Sequence, residues 1–354
     1  MKLTRNPLLA CVLGVLLLDH DPGATEQDSE PTGTPIAFSG DSVTLPLIGS
    51  SVHPSVVVDL GDEQQHAFVV DTGAAVNVID SKIADAAGFR VVGEIEVGAP
   101  GGPQIPANIV VVPLAKFGEA SLTNAKFVAM EIDELSGGLM QGVLGLGPFR
   151  DYLLTFDQGN GWIQVSRQKL SKHDPGVVPF QNHDGHIQVE MTVAGTTVPV
   201  HIDTGSMAAF TLPAELMASL PLGASPATTS SARLVGGDRN IKTAQLDGDI
   251  VFANTVYKMP DVAFMDPSPG YGNIGSQILS AFVVSIDLQR QLIRFEKPVQ
   301  TRPNVRRQSP RRLGAQFRGM PGGRELTIAR IDAGSLAEKS GLQAGDVLTG
   351  RDTL

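Results

Sequence analysis

The feature that most constrains this chain is a pair of aspartates, each set in a strongly apolar run. Asp71 lies in HAFVVDTGAAVNVID, residues 66–80, and Asp203 lies in VPVHIDTGSMAAFTL, residues 198–212. An unpaired carboxylate buried in such a run costs several kcal/mol, so it has to be neutralised, hydrogen-bonded or paired. Each aspartate is a plausible partner for the other, which requires a fold that brings these two distant segments together.

The two aspartates belong to a longer internal repeat. Each copy predicts a β-hairpin, followed by a Gly-rich turn, an apolar segment ending at Gly, and a later strand that ends in Asp. The hairpin strands are residues 56–60 and 67–70 in the first copy and 187–193 and 198–202 in the second. Gly145 follows Asp71 by 74 residues, and Gly275 follows Asp203 by 72. A repeat of this length predicts two similar lobes.

Composition and length agree with this architecture. At 354 residues the chain suits about two folding units. It is rich in Val, Thr and Gly, carries 24 prolines and has few long helical patterns, which favours an all-β fold with frequent turns. A formal net charge of −10 argues against nucleic acid as the main partner.

The N-terminus is typical of a targeting segment. Lys2 and Arg5 precede an apolar run over residues 7–18, which is short for a bilayer span of about 20 residues but suits a signal peptide. We therefore expect residues 1–18 to direct export to the periplasm or the exterior. An uncleaved signal anchor, which would tether the chain to a membrane, is the alternative. The polar, acidic residues 19–35 are predicted to be a flexible spacer.

Taken together, the motifs resemble the aspartic proteases, in the single-chain, two-lobed form of the retropepsin-like branch. The resemblance covers about residues 53–298 and rests on Val70-Asp71-Thr72-Gly73-Ala74, on Ile202-Asp203-Thr204-Gly205-Ser206, and on the two apolar-Gly segments. It implies an all-β fold of two similar β-barrel lobes, residues 36–172 and 173–298, with a catalytic cleft between them.

The resemblance also implies roles for individual residues. Asp71 and Asp203 would share one proton and activate a water that attacks a peptide bond, as in the coupled carboxylates for which this protease dyad is the standard example. Thr72 and Thr204 would exchange hydrogen bonds across the lobe junction. Gly73 and Gly205 would let the backbone pass close to the carboxylates and offer N–H groups to them. The implied activity is that of an aspartic endopeptidase acting on peptides or proteins, without metal or cofactor and active as a monomer.

The Gly-rich turns are less specific. Gly101 and Gly102 in the first copy, and Gly236 and Gly237 in the second, would be the tips of flaps that close over an extended peptide. The alternative is that each pair is simply a hairpin turn. Asn273 departs from the pattern, because it stands where an apolar residue is expected before Ile274-Gly275.

Several histidines lie near these motifs without a clear role. His66 and His201 precede the two aspartates and are expected to lie on strand surfaces. The residue types of His183-Asp184-Gly185-His186 could bind a metal ion, but the Asp-Gly pair lies where a turn between two strands is predicted.

Beyond the repeat, the chain changes character. Residues 299–312 contain five arginines and no acids, and are predicted to be a basic linker. Residues 313–354 resemble the first half of a PDZ domain, an α+β fold. A non-catalytic peptide-binding protein, using the cleft between the lobes and this tail for recognition, is therefore the alternative function.

Overall fold

The computed structural model describes most of the two repeats and short parts of the two ends. The described residues are 10–11, 34–48, 53–62, 64–99, 103–132, 140–183, 186–223, 227–235, 237–266, 268–298, 315–318, 326–331, 338 and 341–348. Within these ranges, no helix combines the length and the apolar character needed to cross a membrane.

The first part of the chain consists mainly of strands. These are β1 Ala10–Cys11, β2 Ser42–Pro46, β3 Ser55–Asp59, β4 Gln65–Val70, β5 Val78–Asp80, β6 Arg90–Val97, β7 Ile105–Phe117, β8 Ala120–Met130, β9 Gly142–Leu144, β10 Leu153–Asp157 and β11 Trp162–Ser166. Strands β3 to β9 form a sheet in the order β3-β4-β9-β5-β8-β7-β6. A short helix, Ser81–Ala86, follows β5, and a 3-10 helix, Gly147–Phe149, follows β9.

The second repeat builds the same arrangement. Its strands are β12 Val177–Pro179, β13 Gln181–His183, β14 His186–Val193, β15 Thr196–Asp203, β16 Phe210–Pro213, β17 Ala227–Leu234, β18 Gly237–Gln245, β19 Asp249–Phe252, β20 Thr255–Lys258, β21 Asp261–Met265, β22 Gly272–Gly275, β23 Val283–Asp287 and β24 Leu292–Glu296. They pair in the order β17-β18-β21-β16-β22-β15-β14-β19-β20, with β13 also on β14. The 3-10 helix Ala214–Ala218 and the helix Ser276–Leu279 complete the lobe.

The predicted hairpins and their partners are confirmed in both lobes. Strand β4 pairs antiparallel with β3 and parallel with β9. Strand β15 pairs antiparallel with β14 and parallel with β22. The ends of β4 and β15 that lead to the aspartates are covered on both sides, because residues 66–70 of β4 and 200–203 of β15 are all buried.

A third sheet joins the two lobes. Its order is β12-β24-β23-β10-β11-β2, so that β10 of the first repeat lies beside β23 of the second. These two strands run antiparallel, with Leu153 opposite Asp287 and Asp157 opposite Val283. The lobes therefore share backbone hydrogen bonds as well as apolar contacts, and one large hydrophobic cluster includes buried residues of both.

The ends of the chain contribute smaller elements. Strand β1 pairs in parallel with β17, Ala10 lying opposite Ala232. In the tail, β25 Ala315–Arg318, β26 Leu326–Ile331 and β27 Val347–Leu348 form a separate antiparallel sheet. The PDZ-like character of this tail stays a prediction, and the basic linker lies outside the described residues.

A buried hydroxyl pair lies at the centre of the joining sheet and offers a test of how firmly the lobes are coupled. The hydroxyls of Thr155 on β10 and Ser285 on β23 are hydrogen-bonded at 3.0 Å, and both residues are buried. We expect Thr155→Val to lower the free energy of unfolding by about 1–3 kcal/mol, because it leaves the Ser285 hydroxyl unsatisfied. The double variant with Ser285→Ala should lose less than the sum of the two single variants in urea denaturation. Additive losses would show that this bond does not couple the strands.

Candidate active site

The fold places the two predicted aspartates at matching strand ends. Asp71 follows β4 directly, and its N–H donates to the Leu144 carbonyl of β9 at 2.9 Å. Asp203 is the last residue of β15 and lies opposite Gly275 of β22. The two loops that continue from these strands meet at the junction of the lobes. The sequence hypothesis that the aspartates are partners is therefore realised in the structure.

The two threonines of the D-T-G motifs hold the loops together. The Thr72 hydroxyl donates to the Ile202 carbonyl at 2.6 Å and accepts from the Thr204 N–H at 3.0 Å. Reciprocally, the Thr204 hydroxyl donates to the Val70 carbonyl at 2.8 Å and accepts from the Thr72 N–H at 3.0 Å. All four bonds are buried and cross between the repeats. We call this set of bonds the threonine clamp.

The backbone beyond the threonines supplies donors to the carboxyl groups. Asp71 Oδ1 accepts from the N–H of Gly73 at 2.7 Å and from the N–H of Gly205 at 3.1 Å. Asp203 Oδ1 accepts from the Ser206 N–H at 2.9 Å. The two carboxyls also interact electrostatically with one another. The pair is thus buried, electrostatically coupled and oriented by main-chain donors from both lobes.

The glycines of the motifs are required by this close approach. A Cβ atom on Gly205 would lie 2.2 Å from Asp71 Oδ2, and one on Gly73 would lie 2.8 Å from Asp203 Oδ1. Any larger residue would therefore push the opposite carboxyl away. Glycine at both positions therefore leaves room for the backbone to approach the carboxyls.

The surroundings make both carboxyls weak acids. Burial raises the pKa of Asp71 to about 6, although the Gly73 and Gly205 N–H groups and the contact with Asp203 oppose the rise. Burial, and then the nearby charge of Asp71, raise the pKa of Asp203 well above its usual range. Two carboxyls in contact cannot both ionise easily, so over a range of pH the pair holds one proton.

Further residues, which the sequence motifs did not identify, support the loops that carry the two aspartates. The buried Ser276 hydroxyl donates to the Thr204 carbonyl at 2.5 Å, and the Ser276 N–H donates to the Ser206 carbonyl at 2.7 Å. In the first lobe, Asn77 Oδ1 accepts from the Gly145 N–H at 3.1 Å. Both residues are polar positions in or beside apolar segments, which is the signal that could have identified them.

The predicted flap residues are only partly described. Gly101, Gly102 and Gly236 lie outside the described residues, whereas Gly237 is exposed at the start of β18. The hairpins β6–β7 and β17–β18 that lead into these turns do meet, because the Ala99 N–H donates to the Val235 carbonyl at 3.2 Å. The flap role stays a prediction.

The histidine expectations need correction. His66 and His201 are not on the surface: each is buried. His66 Nε2 lies 2.8 Å from Asp62 Oδ2, and the ring of His201 is covered by His186 and Tyr271, with ring centroids at 5.0 and 6.3 Å. Both rings therefore lie in the protein interior.

Two other groups of residues that the sequence motifs identified can be located in the structure. Asp157 and Asp287, the strand-end aspartates of the repeat, accept hydrogen bonds from the turns that follow them, from the N–H of Asn160 and of Arg290. They do not join the carboxyl pair. His183 lies opposite His186 in the β13–β14 hairpin, as the predicted turn requires, while Asp184 and Gly185 are outside the described residues.

The fold and this site define a class of protein: two β lobes that meet at a buried pair of aspartates, each in a D-T-G motif after a central strand. Comparison with protein families agrees with that definition. The family described as "Aspartyl protease" matches residues 56–147 and 189–278, one segment in each lobe and together just over half of the chain. The chain belongs to the aspartyl protease family. A search among curated proteins finds no match.

The threonine clamp predicts that two conservative substitutions of Thr72 differ in their effect on the free energy of unfolding. Thr72→Val removes the hydroxyl and leaves the Ile202 carbonyl and the Thr204 N–H without their buried partner, so it should lower the free energy of unfolding by about 2 kcal/mol or more. Thr72→Ser keeps the hydroxyl and should lose much less. Chemical denaturation of both variants tests this. Equal stability of the two would show that the clamp contributes packing alone.

Proposed function

We propose that this protein is an aspartic endopeptidase in which Asp71 and Asp203 together activate a water molecule. The observation that carries the proposal is the buried carboxyl pair at the lobe junction, which backbone N–H groups orient and in which both groups have a raised pKa. Such a pair provides a base and an acid at the same pH, which is what hydrolysis of a neutral amide by water requires.

The hydrogen bonds suggest which carboxyl takes which role. Asp71 accepts two backbone N–H bonds and Asp203 accepts one, so the negative charge is better stabilised on Asp71. Asp71 Oδ2 accepts no hydrogen bond from the described residues and is free to take a proton. We therefore assign Asp71 as the general base and Asp203 as the general acid.

The reaction then follows from these assignments. Asp71 takes a proton from the water as its oxygen bonds to the carbonyl carbon of the peptide. Asp203 gives its proton to the carbonyl oxygen, which produces a neutral tetrahedral diol. In the breakdown of the diol, Asp71 gives its proton to the leaving nitrogen, Asp203 takes a proton from a diol hydroxyl and the C–N bond breaks. The products are a carboxylic acid and an amine, and the carboxyl pair again holds one proton, on Asp203. No covalent bond to the protein forms in this scheme.

The proposed monomeric state, peptide-binding mode, cellular location and domain bounds rest on the sequence and on the connectivity of the strands. Both carboxyls belong to one chain, which supports a monomer as the catalytic unit, and the meeting of the two flap hairpins supports an extended peptide bound beneath them. We propose export on the strength of the N-terminal segment, with residues 36–172 and 173–298 as the lobes and the basic linker and PDZ-like tail outside the catalytic unit.

Neutralising either carboxyl should stop cleavage while leaving the fold intact. Asp71→Asn removes the base and Asp203→Asn removes the acid, and each should lower kcat/KM on an unstructured protein substrate by about 10²–10⁴-fold or more. Asp261→Asn makes the same chemical change at an exposed position and should leave activity unchanged. Circular dichroism checks folding. A wild-type protein that binds peptides but never cleaves them would favour the non-catalytic alternative.

The pH dependence follows from the direction of the shifts. Below the pKa of about 6 at Asp71 both carboxyls are protonated and no base is present, so kcat/KM should rise about tenfold per pH unit up to that value. Above the raised pKa of Asp203 both are ionised and no acid is left, so the rate should fall again. Initial rates measured from acid to alkaline pH test this. An optimum well below pH 6 would contradict the assignment.

A further inference from the structure

The second lobe carries a groove of about 810 Å³ that the proposed catalysis does not use. Its lining consists of residues 176–181, 188–190 and 251–254, together with Pro199 and Phe295. Two valines of this lining are partly open to solvent, Val178 at 40% and Val251 at 38% exposure. We call this feature the second-lobe groove. It shares no residue with the carboxyl pair or with the threonine clamp.

The first lobe packs larger side chains at the equivalent positions. Strands β2 and β12 both lie at an edge of the joining sheet, β2 on β11 and β12 on β24. By the register of these pairs, Leu45 of the first lobe corresponds to Val178 of the second. Leu45 is only 1% exposed. Val43, also buried, corresponds to Gly176, which has no side chain to fill the space.

The first lobe also covers this region with an extended segment of its own chain. Ala37 forms an antiparallel bridge with Ser121 near the start of β8, and the neighbouring Ile36 is 1% exposed in the shared core. By its place in the hairpin, Ser121 corresponds to Val256 of β20. Val256 is 50% exposed, and β20 pairs with β19 alone among the described strands. The second lobe therefore has an open strand edge beside an apolar groove.

The basic linker, residues 299–312, begins close to this groove. Phe295 of β24 lines the groove, and the linker starts only four residues further along the chain. Fourteen residues in extended conformation span up to about 50 Å. The linker is therefore long enough to reach every part of the groove lining.

The linker and the lobes also carry opposite charge. The linker has five arginines and no acids, whereas residues 36–298 contain 15 basic and 27 acidic residues, a formal net charge of −12. Glu190 is exposed and is the single charged residue in the described lining of the groove. In the linker, Val305 is followed directly by Arg306 and Arg307. An apolar side chain next to positive charge matches valines next to a carboxylate.

We propose that the basic linker docks in the second-lobe groove, with Val305 against Val178 and Val251 and the following arginines beside Glu190. Docking removes apolar surface of these valines from water, which favours the contact. Because the linker and the groove belong to one chain, their association is intramolecular and is favoured by a high effective concentration. The contact holds the tail sheet, β25 to β27, close to the second lobe.

Disulfide trapping in the full chain tests this contact. In Cys11→Ser protein, Asn304→Cys is combined with Val251→Cys in the groove or with Lys116→Cys, the equivalent exposed position of the first lobe. A disulfide requires Cα atoms within about 7 Å of each other. We expect the bond within one chain to form at least about tenfold faster with Val251→Cys than with Lys116→Cys, because docking raises the local concentration of the linker. Peptide mapping by mass spectrometry identifies the bonds.

A charge exchange tests the assigned partners. Glu190→Arg should slow the bond to Val251→Cys about tenfold, because like charges then face one another. Adding Arg306→Glu and Arg307→Glu should recover most of that rate. Thermal denaturation checks the folding of each variant. Gln181→Cys, a second exposed position of the groove, should show the same excess over the first-lobe control.

Three results would overturn the proposal. The first is equal rates for the groove and first-lobe cysteines. The second is bonds that form between two chains instead of within one, which would make a second copy the occupant of the groove. The third is a loss in Glu190→Arg protein that the paired arginine substitutions do not recover.

Discussion

The threonine clamp is the interaction on which the rest of this structure depends. Burying two carboxyls at an interface is costly unless the loops that carry them are held where their polar groups can form hydrogen bonds. Thr72 and Thr204 achieve this by joining each loop to the strand that delivers the opposite one, through four buried hydrogen bonds. The lobe junction cannot open without leaving these groups unsatisfied. The joining sheet and the shared core then reinforce an arrangement whose geometry the clamp defines.

Within that nearly symmetric frame, the two lobes have different polar surroundings. Behind Asp71 the first lobe is apolar, with Val69 and Val143 in one cluster with the base of the flap hairpin. Behind Asp203 the corresponding positions are His201 and Asn273, and Ser276 adds a buried hydroxyl. Two identical carboxyls in identical sites would have no fixed roles, and the uneven donors separate their acidities. In the proposed function, this divergence of the lobes is what would assign one carboxyl as the base and the other as the acid.

Much of the fold and the centre of the site could be predicted from the sequence because they depend on local patterns. The apolar strands before Asp71 and Asp203, the glycines after them and the matched spacings are all visible in the repeat. The burial of His201 was not predictable in this way. A polar residue such as histidine in a strand is expected on the surface unless another residue is known to cover it. The ring of Tyr271 contacts that of His201, but Tyr271 lies 70 residues further along the chain, so the local sequence does not reveal the contact. The link from Ser276 to the Thr204 carbonyl spans a similar distance.

By itself, the sequence determined that this chain has two related β lobes and one aspartate in each at a strand end, because strand and turn preferences act over a few residues and a repeat preserves them. Only the tertiary structure decided how the two carboxyls differ. Their acidities depend on burial and on backbone donors such as the N–H groups of Gly205 and Ser206, whose distances to the carboxyls are set by the junction of the lobes. Electrostatic effects of this kind act through space, over a few ångströms, and leave no periodic trace along the chain.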